Sequence, residues 1–136
     1  MADDDDDDYL LTKKALGESK LLNTLIRVRD GEELLDYLHR KGEFNELNAP
    51  RPGVILLDLN MPRKDGREAL KEIKSDDALR NIPIVVFTTS KAEEDIYKTY
   101  QLGVNSFITK PVTFDNLTEV MRTLGNYWFE IVELPR

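Results

Sequence analysis

Hydrophobic and polar positions along the chain follow two different periods in turn. Apolar runs at residues 54–58 and 83–87 have the length and composition of buried strands, and residues 106–109 are expected to form a further short strand. Between these runs, apolar side chains recur every three or four residues, which places them on one face of a helix. This alternation predicts an α/β fold, a doubly wound parallel sheet with five helices.

The helices are expected at residues 7–18, 32–41, 67–75, 91–102 and 113–128. A further strand with one solvated face is expected at residues 25–29, where apolar and basic side chains alternate. Gly103 follows the fourth predicted helix, at the position where a left-handed residue commonly ends a helix. The low-complexity segment of the chain is the acidic run at residues 3–8.

Composition narrows the choice of partners. The chain has 136 residues, the size of one domain, and its net charge of −7 argues against nucleic acid, whose phosphates need a basic surface. The absence of cysteine excludes disulfides and thiolate-bound metals. No apolar run approaches the ~20 residues of a membrane span, and the acidic start is unlike a secretory signal. We therefore expect a cytoplasmic protein whose partner is a protein, a cation or a cationic small molecule, with no membrane.

The strand at residues 54–58 delivers a carboxylate, Asp58, to the end of an unbroken apolar run. Burying this charge costs free energy unless a cation or a donor meets it, so Asp58 is the leading candidate for the reacting residue. The next two strands also lead into polar groups, Thr88 and Lys110. Ligands of open parallel sheets bind beyond the carboxyl ends of the strands, so these three side chains are expected to converge.

The acidic run adds Asp3 and Asp4 to this set. Two or three carboxylates with waters suit Mg²⁺, which prefers hard oxygen ligands. The Thr88 hydroxyl and the Lys110 ammonium can then hold phosphoryl oxygens, while Asp58 acts as the nucleophile and carries an acyl phosphate. The other aspartates expected to be helix-start and surface charges are Asp5, Asp7 and Asp8.

Several motifs stand in an order and spacing that is specific as a set: Asp3-Asp4, Leu56-Leu57-Asp58-Leu59-Asn60-Met61-Pro62 followed by Asp65-Gly66, the run from Pro83 to Thr88, and Lys110-Pro111. With these motifs, residues 1–128 resemble a CheY-like receiver domain of a two-component response regulator. The resemblance implies the flavodoxin-like strand order 2-1-3-4-5. It also implies a phosphorelay protein that is a phosphoacceptor with at most slow autodephosphorylation, and not an enzyme.

The resemblance also implies roles for individual residues. Asp58 accepts the phosphoryl group from a histidine kinase, and Thr88 and Lys110 bind the phosphoryl oxygens. The implied Mg²⁺ ligands are Asp3, Asp4, Asp58 and, through its backbone carbonyl, Asn60. Thr88 and Phe107 form the family's switch, in which the aromatic ring moves inward when the hydroxyl turns toward the phosphoryl group. The family holds the bond before Pro111 cis.

A finer resemblance is to the stand-alone regulators that serve phytochrome-type histidine kinases of bacteria. It rests on the acidic start, the longer loop at residues 43–52, the Thr88-Thr89-Ser90 segment and the tail from Tyr127 to Pro135. Members of that subgroup dimerise through the last strand, the last helix and this tail. The implied partners are a phytochrome-type kinase and a second copy of the chain, with residues 129–136 as a dimer contact.

The chain departs from the family at its start. The family has an apolar strand before the acidic pair, whereas only Met1 and Ala2 precede Asp3. That strand is central in the family's sheet, so the first strand is expected to be truncated or absent, leaving unpaired backbone groups beside it. A late start site, a truncated chain and a rearranged fold are the open explanations.

Two other functions remain open on the residues alone. A Mg²⁺-dependent phosphohydrolase with an aspartyl-phosphate would use Asp58, Thr88 and Lys110 similarly, but it needs a second aspartate where the chain has Asn60. A phosphorylation-deficient interaction module, or a truncated receiver, would keep the fold without a working site. Mg²⁺ binding and acyl phosphate formation would distinguish a working receiver from such a module.

Overall fold

The computed structural model describes residues 1–18, 25–110 and 113–124. Within these ranges the helices are α1 (Asp6–Glu18), α2 (Gly31–His39), α3 (Gly66–Lys74), α4 (Glu93–Gln101) and α5 (Phe114–Leu124). The strands are β1 (Ile55–Leu57), β2 (Ile84–Thr88) and β3 (Ser106–Thr109). The five predicted helices and the three strands predicted at residues 54–58, 83–87 and 106–109 are therefore present, and their ends agree within two residues wherever the structure describes them.

The three strands form one parallel sheet in the order β1-β2-β3. Side chains alternate between the two faces of a strand, so each face collects every second residue. One face packs its side chains with those of α2 and α3: Ile55, Leu57, Ile84 and Val86. The other face packs with α1 and α5: Leu56, Val85 and Phe87. Helices cover both faces, which explains why the apolar runs of β1 and β2 are unbroken and confirms the doubly wound arrangement.

The first residues of the chain close the centre of the sheet. Ala2 makes parallel bridges to Val28 on one side and to Leu57 on the other. Its N–H donates to the Leu56 carbonyl at 2.8 Å, and its own carbonyl accepts from the N–H of Asp58 at 3.0 Å. The first strand is thus truncated to a one-residue bridge that occupies the central place of the 2-1-3-4-5 order.

The strand predicted at residues 25–29 is wrong as a strand, because among these residues only Val28 joins the sheet. Val28 donates to the Met1 carbonyl at 2.9 Å and accepts from the N–H of Asp3 at 3.0 Å. A longer ladder needs a neighbour of matching length, and the truncated first strand offers none. Arg27 donates from Nε to the Asp3 carbonyl at 3.0 Å, which fixes this short segment by a side chain as well.

The loop after β1 packs closely against Asp58, the residue that follows this strand. The Asp65 carboxylate caps α3 by accepting two N–H groups of its first turn. The Gly66 N–H donates to the Leu59 carbonyl at 2.9 Å. A Cβ on Gly66 would overlap the carbonyl oxygen of Asp58, so this close approach requires glycine. The start of α3 is therefore held directly beside Asp58.

Three predictions lie outside the described residues: the cis bond before Pro111, the continuation of the last helix to residue 128, and the tail at residues 129–136. Gly103 has a φ of 96°, in the left-handed region, as predicted for the residue that ends the fourth helix. None of the helices in the described ranges has the length and hydropathy needed to cross a bilayer.

Candidate functional site

The carboxyl ends of the strands bring three predicted residues together. Asp58 follows β1, Thr88 ends β2 and Lys110 follows β3. The N–H of Lys110 donates to the Thr88 carbonyl at 2.8 Å, and that of Asp58 to the Ala2 carbonyl at 3.0 Å. The side chains are buried, with residue exposures of 7% for Asp58, 0% for Thr88 and 5% for Lys110. Main-chain hydrogen bonds and burial together fix their positions.

Lys110 lies inside a group of carboxylates. Its Nζ is 2.6 Å from Asp3 Oδ2, 2.7 Å from Asp8 Oδ2 and 3.6 Å from Asp58 Oδ2. The same atom lies 5.0 Å from the centroid of the Phe87 ring, whose π face favours a cation. Three carboxylates therefore share one ammonium. We call the following set the acidic half of the site: Asp3, Asp4, Asp8, Asp58 and Lys110.

The pKa shifts in the acidic half reflect burial and the hydrogen bonds of Lys110. Burial raises the pKa of Asp3, and the hydrogen bond from Lys110 offsets this only in part. Burial alone would lower the pKa of Lys110, but its hydrogen bonds to Asp3 and Asp8 keep that pKa above the ordinary value. Lys110 is therefore charged at neutral pH and still leaves the group net negative, an environment that favours a further cation.

Three carboxylates of the acidic half can serve one ion. Oxygens of Asp3, Asp4 and Asp58 all lie within 4.8 Å of one another. Asp3 and Asp58 are buried and Asp4 is exposed, so the group is open to water on one side. Hard oxygen ligands with retained waters suit a divalent cation such as Mg²⁺, so the donor set fits the predicted metal. Asn60, the fourth predicted ligand, lies beside this group and donates its N–H to Asp58 Oδ1 at 3.1 Å.

Thr88 is the better placed of two adjacent hydroxyls. Asn60 Nδ2 lies 3.4 Å from the hydroxyl oxygens of both Thr88 and Thr89. Thr88 is fully buried beside Lys110, whereas Thr89 is exposed. Burial at the end of β2 supports Thr88, the residue chosen from spacing, as the candidate phosphoryl ligand.

An ion pair connects the start of α3 to the first turn of α4. Arg67 donates from Nε to Asp95 Oδ1 at 2.7 Å and from Nη2 to Asp95 Oδ2 at 2.6 Å, a bidentate contact. Ser90 donates its hydroxyl to Asp95 Oδ2 at 2.6 Å. The Arg67 guanidinium lowers the pKa of Asp95 to about 2. We call the following set the loop half of the site: Asn60, Arg67, Thr88, Ser90 and Asp95.

Phe107 lies on β3, in register with Val86 of β2. Its ring is half-buried and packs against the core on the α2 and α3 face of the sheet. The position of a partly buried ring one strand away from Thr88 is compatible with a switch residue. Its role as a switch stays a prediction.

The acidic run divides into separate local roles. Asp5 accepts the N–H of Asp8 at 3.0 Å and so caps α1, as expected for a helix-start residue. Asp6 pairs with Arg27 at 2.6 Å, which lowers the pKa of that carboxyl. Asp7 is exposed, as predicted.

Asp8 lies in the first turn of α1, as predicted for a helix-start charge. Its prediction as a surface charge is wrong, because its carboxylate pairs with the buried Lys110. The buried residues of α1 include Thr12 and Ala15, which follow Asp8 by four and seven positions. This spacing places Asp8 on the buried face of α1, and it was the available signal in the sequence. The pairing of Arg67 with Asp95 had no such signal, because it depends on how two helices pack in space.

Comparison with known proteins agrees with this arrangement. The family model described as the response regulator receiver domain matches residues 1–122. Response regulator Rcp1 of Synechocystis sp. is 41% identical to this chain over 135 residues, which is 99% of this chain and 90% of that protein. The sequence likeness therefore extends over nearly the whole chain.

Solved structures show the same likeness. The crystal structure of the Mn²⁺-bound form of Rcp1 has a TM-score of 0.84 and 41% identity, covering 99% of this chain and 96% of that one. The crystal structure of the phosphorylated cyanobacterial phytochrome response regulator RcpA has a TM-score of 0.85 and 43% identity, covering 99% and 95%. Neither the phosphohydrolase nor the inert-module alternative is favoured by these matches. The chain therefore belongs to the CheY-like response regulator receiver family and is a component of a two-component phosphorelay.

Proposed function

We propose that Asp58 is the phosphoacceptor of this receiver and that it works with Mg²⁺. The observation that carries the proposal is the environment of one carboxylate. Asp58 shares a three-carboxylate group with Asp3 and Asp4, and its Oδ2 faces the Lys110 ammonium at 3.6 Å. Carboxylates that can hold a cation and a fixed ammonium thus surround one nucleophile. Phosphoryl transfer requires such an arrangement, since its catalysis depends on positioning and charge stabilisation.

The proposed reaction is a simple displacement. A carboxylate oxygen of Asp58 bonds to phosphorus, the bond from phosphorus to the donor breaks, and the electron pair of that bond leaves with the donor atom. Asp3, Asp4, Asp58 and the Asn60 carbonyl would hold Mg²⁺, which supplies positive charge to the phosphoryl oxygens. Lys110 and Thr88 would bind the remaining phosphoryl oxygens from buried, preorganised positions.

The proposed output follows from the contacts of Thr88. Its hydroxyl lies 3.4 Å from Asn60 Nδ2 and 3.5 Å from the N–H of Ser90, both longer than a usual hydrogen bond. In both contacts the Thr88 oxygen accepts, whereas a phosphoryl oxygen would accept the proton of its O–H group, so phosphorylation would turn Thr88 toward Asp58. Phe107 would then move inward, and the loop carrying Ser90 would shift against α4.

The proposed partner is a histidine kinase of the phytochrome type. Receiver domains take their phosphoryl group from histidine kinases, and the likeness to RcpA, a phytochrome response regulator, supports the finer assignment. We further propose a cytoplasmic, stand-alone receiver domain at residues 1–128 that forms a homodimer. The dimer would use β3, α5 and the tail at residues 129–136.

Intact-protein mass spectrometry tests the phosphoacceptor. The chain is incubated with acetyl phosphate and Mg²⁺, with Asp58→Asn and an EDTA-treated sample as controls. We expect a labile mass increase of one phosphoryl group that both controls lose. The same adduct on Asp58→Asn would show that another residue is the acceptor, and no adduct on the wild-type chain would support an inert module.

A further inference from the structure

One carboxylate of the acidic half has no part in the proposed reaction. Asp8 Oδ2 lies 2.7 Å from Lys110 Nζ, nearly as close as Asp3 Oδ2 at 2.6 Å. Asp8 is nevertheless not one of the three carboxylates that can hold one cation, which are Asp3, Asp4 and Asp58. Its backbone is fixed at both ends, since its N–H donates to Asp5 Oδ1 at 3.0 Å and its carbonyl accepts from Thr12 Oγ1 at 2.8 Å.

The distances around Lys110 show which contacts are made at rest. An ammonium has three N–H donors. Two of them serve Asp3 and Asp8 within 2.7 Å, whereas Asp58 Oδ2 is 3.6 Å away, beyond hydrogen-bonding distance. A phosphoryl oxygen on Asp58 therefore competes with Asp3 and Asp8 for the ammonium, and any movement of Nζ toward Asp58 lengthens one of the two short contacts.

The two short contacts of Lys110, to Asp3 and to Asp8, differ in whether another cation can take the place of the ammonium. A cation bound by the three carboxylates offsets the negative charge of Asp3. A weaker hydrogen bond from Lys110 to Asp3 then costs less free energy. Asp8 does not belong to that group of carboxylates, so a bound cation would not take the place of Lys110 beside its carboxylate. The hydrogen bond to Asp8 is thus the one that continues to oppose movement of the ammonium.

We propose that Asp8 competes with the phosphoryl group for Lys110 and thereby limits how readily Asp58 is phosphorylated. This inference rests on the proposed function of Asp58. Asp8 is a positioning residue that acts through Lys110. It holds the ammonium away from Asp58 at rest and adds one negative charge that a phosphoryl dianion meets on entering the site.

Beryllofluoride, a non-covalent mimic of the phosphoryl group on a carboxylate, tests the inference without any reaction. Its affinity is measured by titration calorimetry in the presence of Mg²⁺. Asp8→Asn keeps the shape and a neutral acceptor but removes the charge. We expect it to tighten beryllofluoride binding by roughly threefold to tenfold, the size expected when a charge-assisted hydrogen bond becomes a neutral one.

Acetyl phosphate gives a second measurement on the same variant. We expect Asp8→Asn to lower the acetyl phosphate concentration at half-maximal phosphorylation by a similar factor, with a smaller change in the maximal rate. If Asp8 only stabilised α1, Asp8→Asn would lower the melting temperature but would not lower the half-maximal acetyl phosphate concentration relative to the maximal rate. Unchanged or weaker beryllofluoride binding in a folded Asp8→Asn variant would overturn the inference.

Two matched variants separate a local charge from net charge and shape. Asp7→Asn removes the same charge one residue earlier, from an exposed side chain, and is expected to leave beryllofluoride affinity unchanged. Asp8→Glu keeps the charge, so no tighter binding is expected. Equal gains from Asp7→Asn and Asp8→Asn would attribute the effect to net charge and reject the inference.

The wild-type chain provides a test that does not depend on a variant that folds. Loss of the Lys110 contact changes the ¹³C shift of the Asp8 carboxyl carbon, so this signal is expected to move as beryllofluoride is added with Mg²⁺. A bound complex with an unmoved Asp8 signal would exclude the competition. A wild-type chain that neither binds beryllofluoride nor forms the acyl phosphate would refute the proposed function itself, and this inference with it.

Discussion

In the acidic half of the site, three carboxylates surround one ammonium. In the loop half, one guanidinium holds Asp95 in a bidentate contact and lies 3.5 Å from the Asp65 carboxylate. The two halves also differ in the direction of their pKa shifts. Burial among other acids raises the pKa of Asp3, while the bidentate contact with Arg67 lowers that of Asp95 to about 2. The acidic half therefore has the larger excess of negative charge, whereas the bidentate Arg67–Asp95 pair of the loop half is balanced.

This difference indicates which half of the site should respond to an added cation. A group with excess negative charge gains free energy from an added cation, so the acidic half should respond to Mg²⁺. A balanced ion pair gains nothing from the same ion, so the loop half should contribute the same stability with or without it. The following predictions test this contrast, beginning with the largest effect and its matched control.

Lys110→Ala is expected to give the largest effect, because it removes the ammonium shared by Asp3, Asp8 and Asp58. Breaking a buried ion pair on one side is strongly destabilising, and we expect a loss of about 3 kcal/mol in the free energy of unfolding without metal. Mg²⁺ should raise the stability of this variant by more than it raises that of the wild type. Urea unfolding at pH 7 with and without Mg²⁺ measures both effects.

Arg67→Ala is the matched control for Lys110→Ala in the loop half. It also leaves a carboxylate without its cation, but the Arg67 side chain is 37% exposed, so the loss should be about 1 kcal/mol. Mg²⁺ should add no more to this variant than to the wild type. An enhanced response to Mg²⁺ in both variants would remove the distinction between the two halves.

Mg²⁺ itself should stabilise the wild-type chain. At a concentration a hundredfold above its dissociation constant, an ion that binds only the folded state adds about 2.7 kcal/mol. Asp4→Asn removes an exposed ligand, so it should lose most of this gain while leaving the metal-free stability nearly unchanged. Thermal unfolding over a Mg²⁺ titration checks this, with Asp7→Asn as the control that keeps the full gain.

Asp95→Asn should cost about 1 kcal/mol, the contribution of a partly exposed but bidentate ion pair. Most of this cost should disappear when Arg67 is already alanine, because the two side chains serve the same contact. A double-mutant cycle by urea unfolding measures the coupling. Additive losses would show that Asp95 acts through Ser90 instead of Arg67.

The same ion pair should give a pH dependence in acid. The pKa of Asp95 is lowered from 3.8 to about 2 in the folded chain, so its contribution is present above pH 3.8 and is lost as the pH falls toward 2. The stability difference between the wild type and Asp95→Asn should therefore be constant from neutral pH to about pH 4 and shrink below it. A difference that declines already between pH 7 and pH 5 would contradict this assignment.

Sequence patterns predicted most of the fold because β1 and β2 are buried apolar runs that can be recognised without knowledge of their neighbours. The strand at residues 25–29 failed for the opposite reason. Its alternating pattern is real, but a strand forms only against a partner, and Ala2 supplies a single bridge. Strand pairing is a property of two segments and is not encoded in either one alone.

The candidate site divides in the same way. Asp58, Thr88 and Lys110 were predictable because each stands at the end of a strand whose direction is known. The partnership of Arg67 with Asp95 joins residues 28 positions apart on two helices, and no local pattern specifies how those helices approach each other. Asp8 lies between these cases, since the helical spacing of α1 indicated its face but composition suggested a solvated charge.

Six consecutive aspartates are the kind of sequence that aligns equally well in several frames and whose length can vary by slippage when genes are copied. Here such variation would not be silent. Asp3 is anchored by the Ala2 bridge, Asp5 caps α1 and Asp8 reaches Lys110, so each position is distinct. If α1 stayed in place, one residue more or fewer between Asp3 and α1 would move Asp8 by one helical position, about 100° around the helix and away from Lys110. The length of this repeat is thus fixed by the structure, even though its residues are identical.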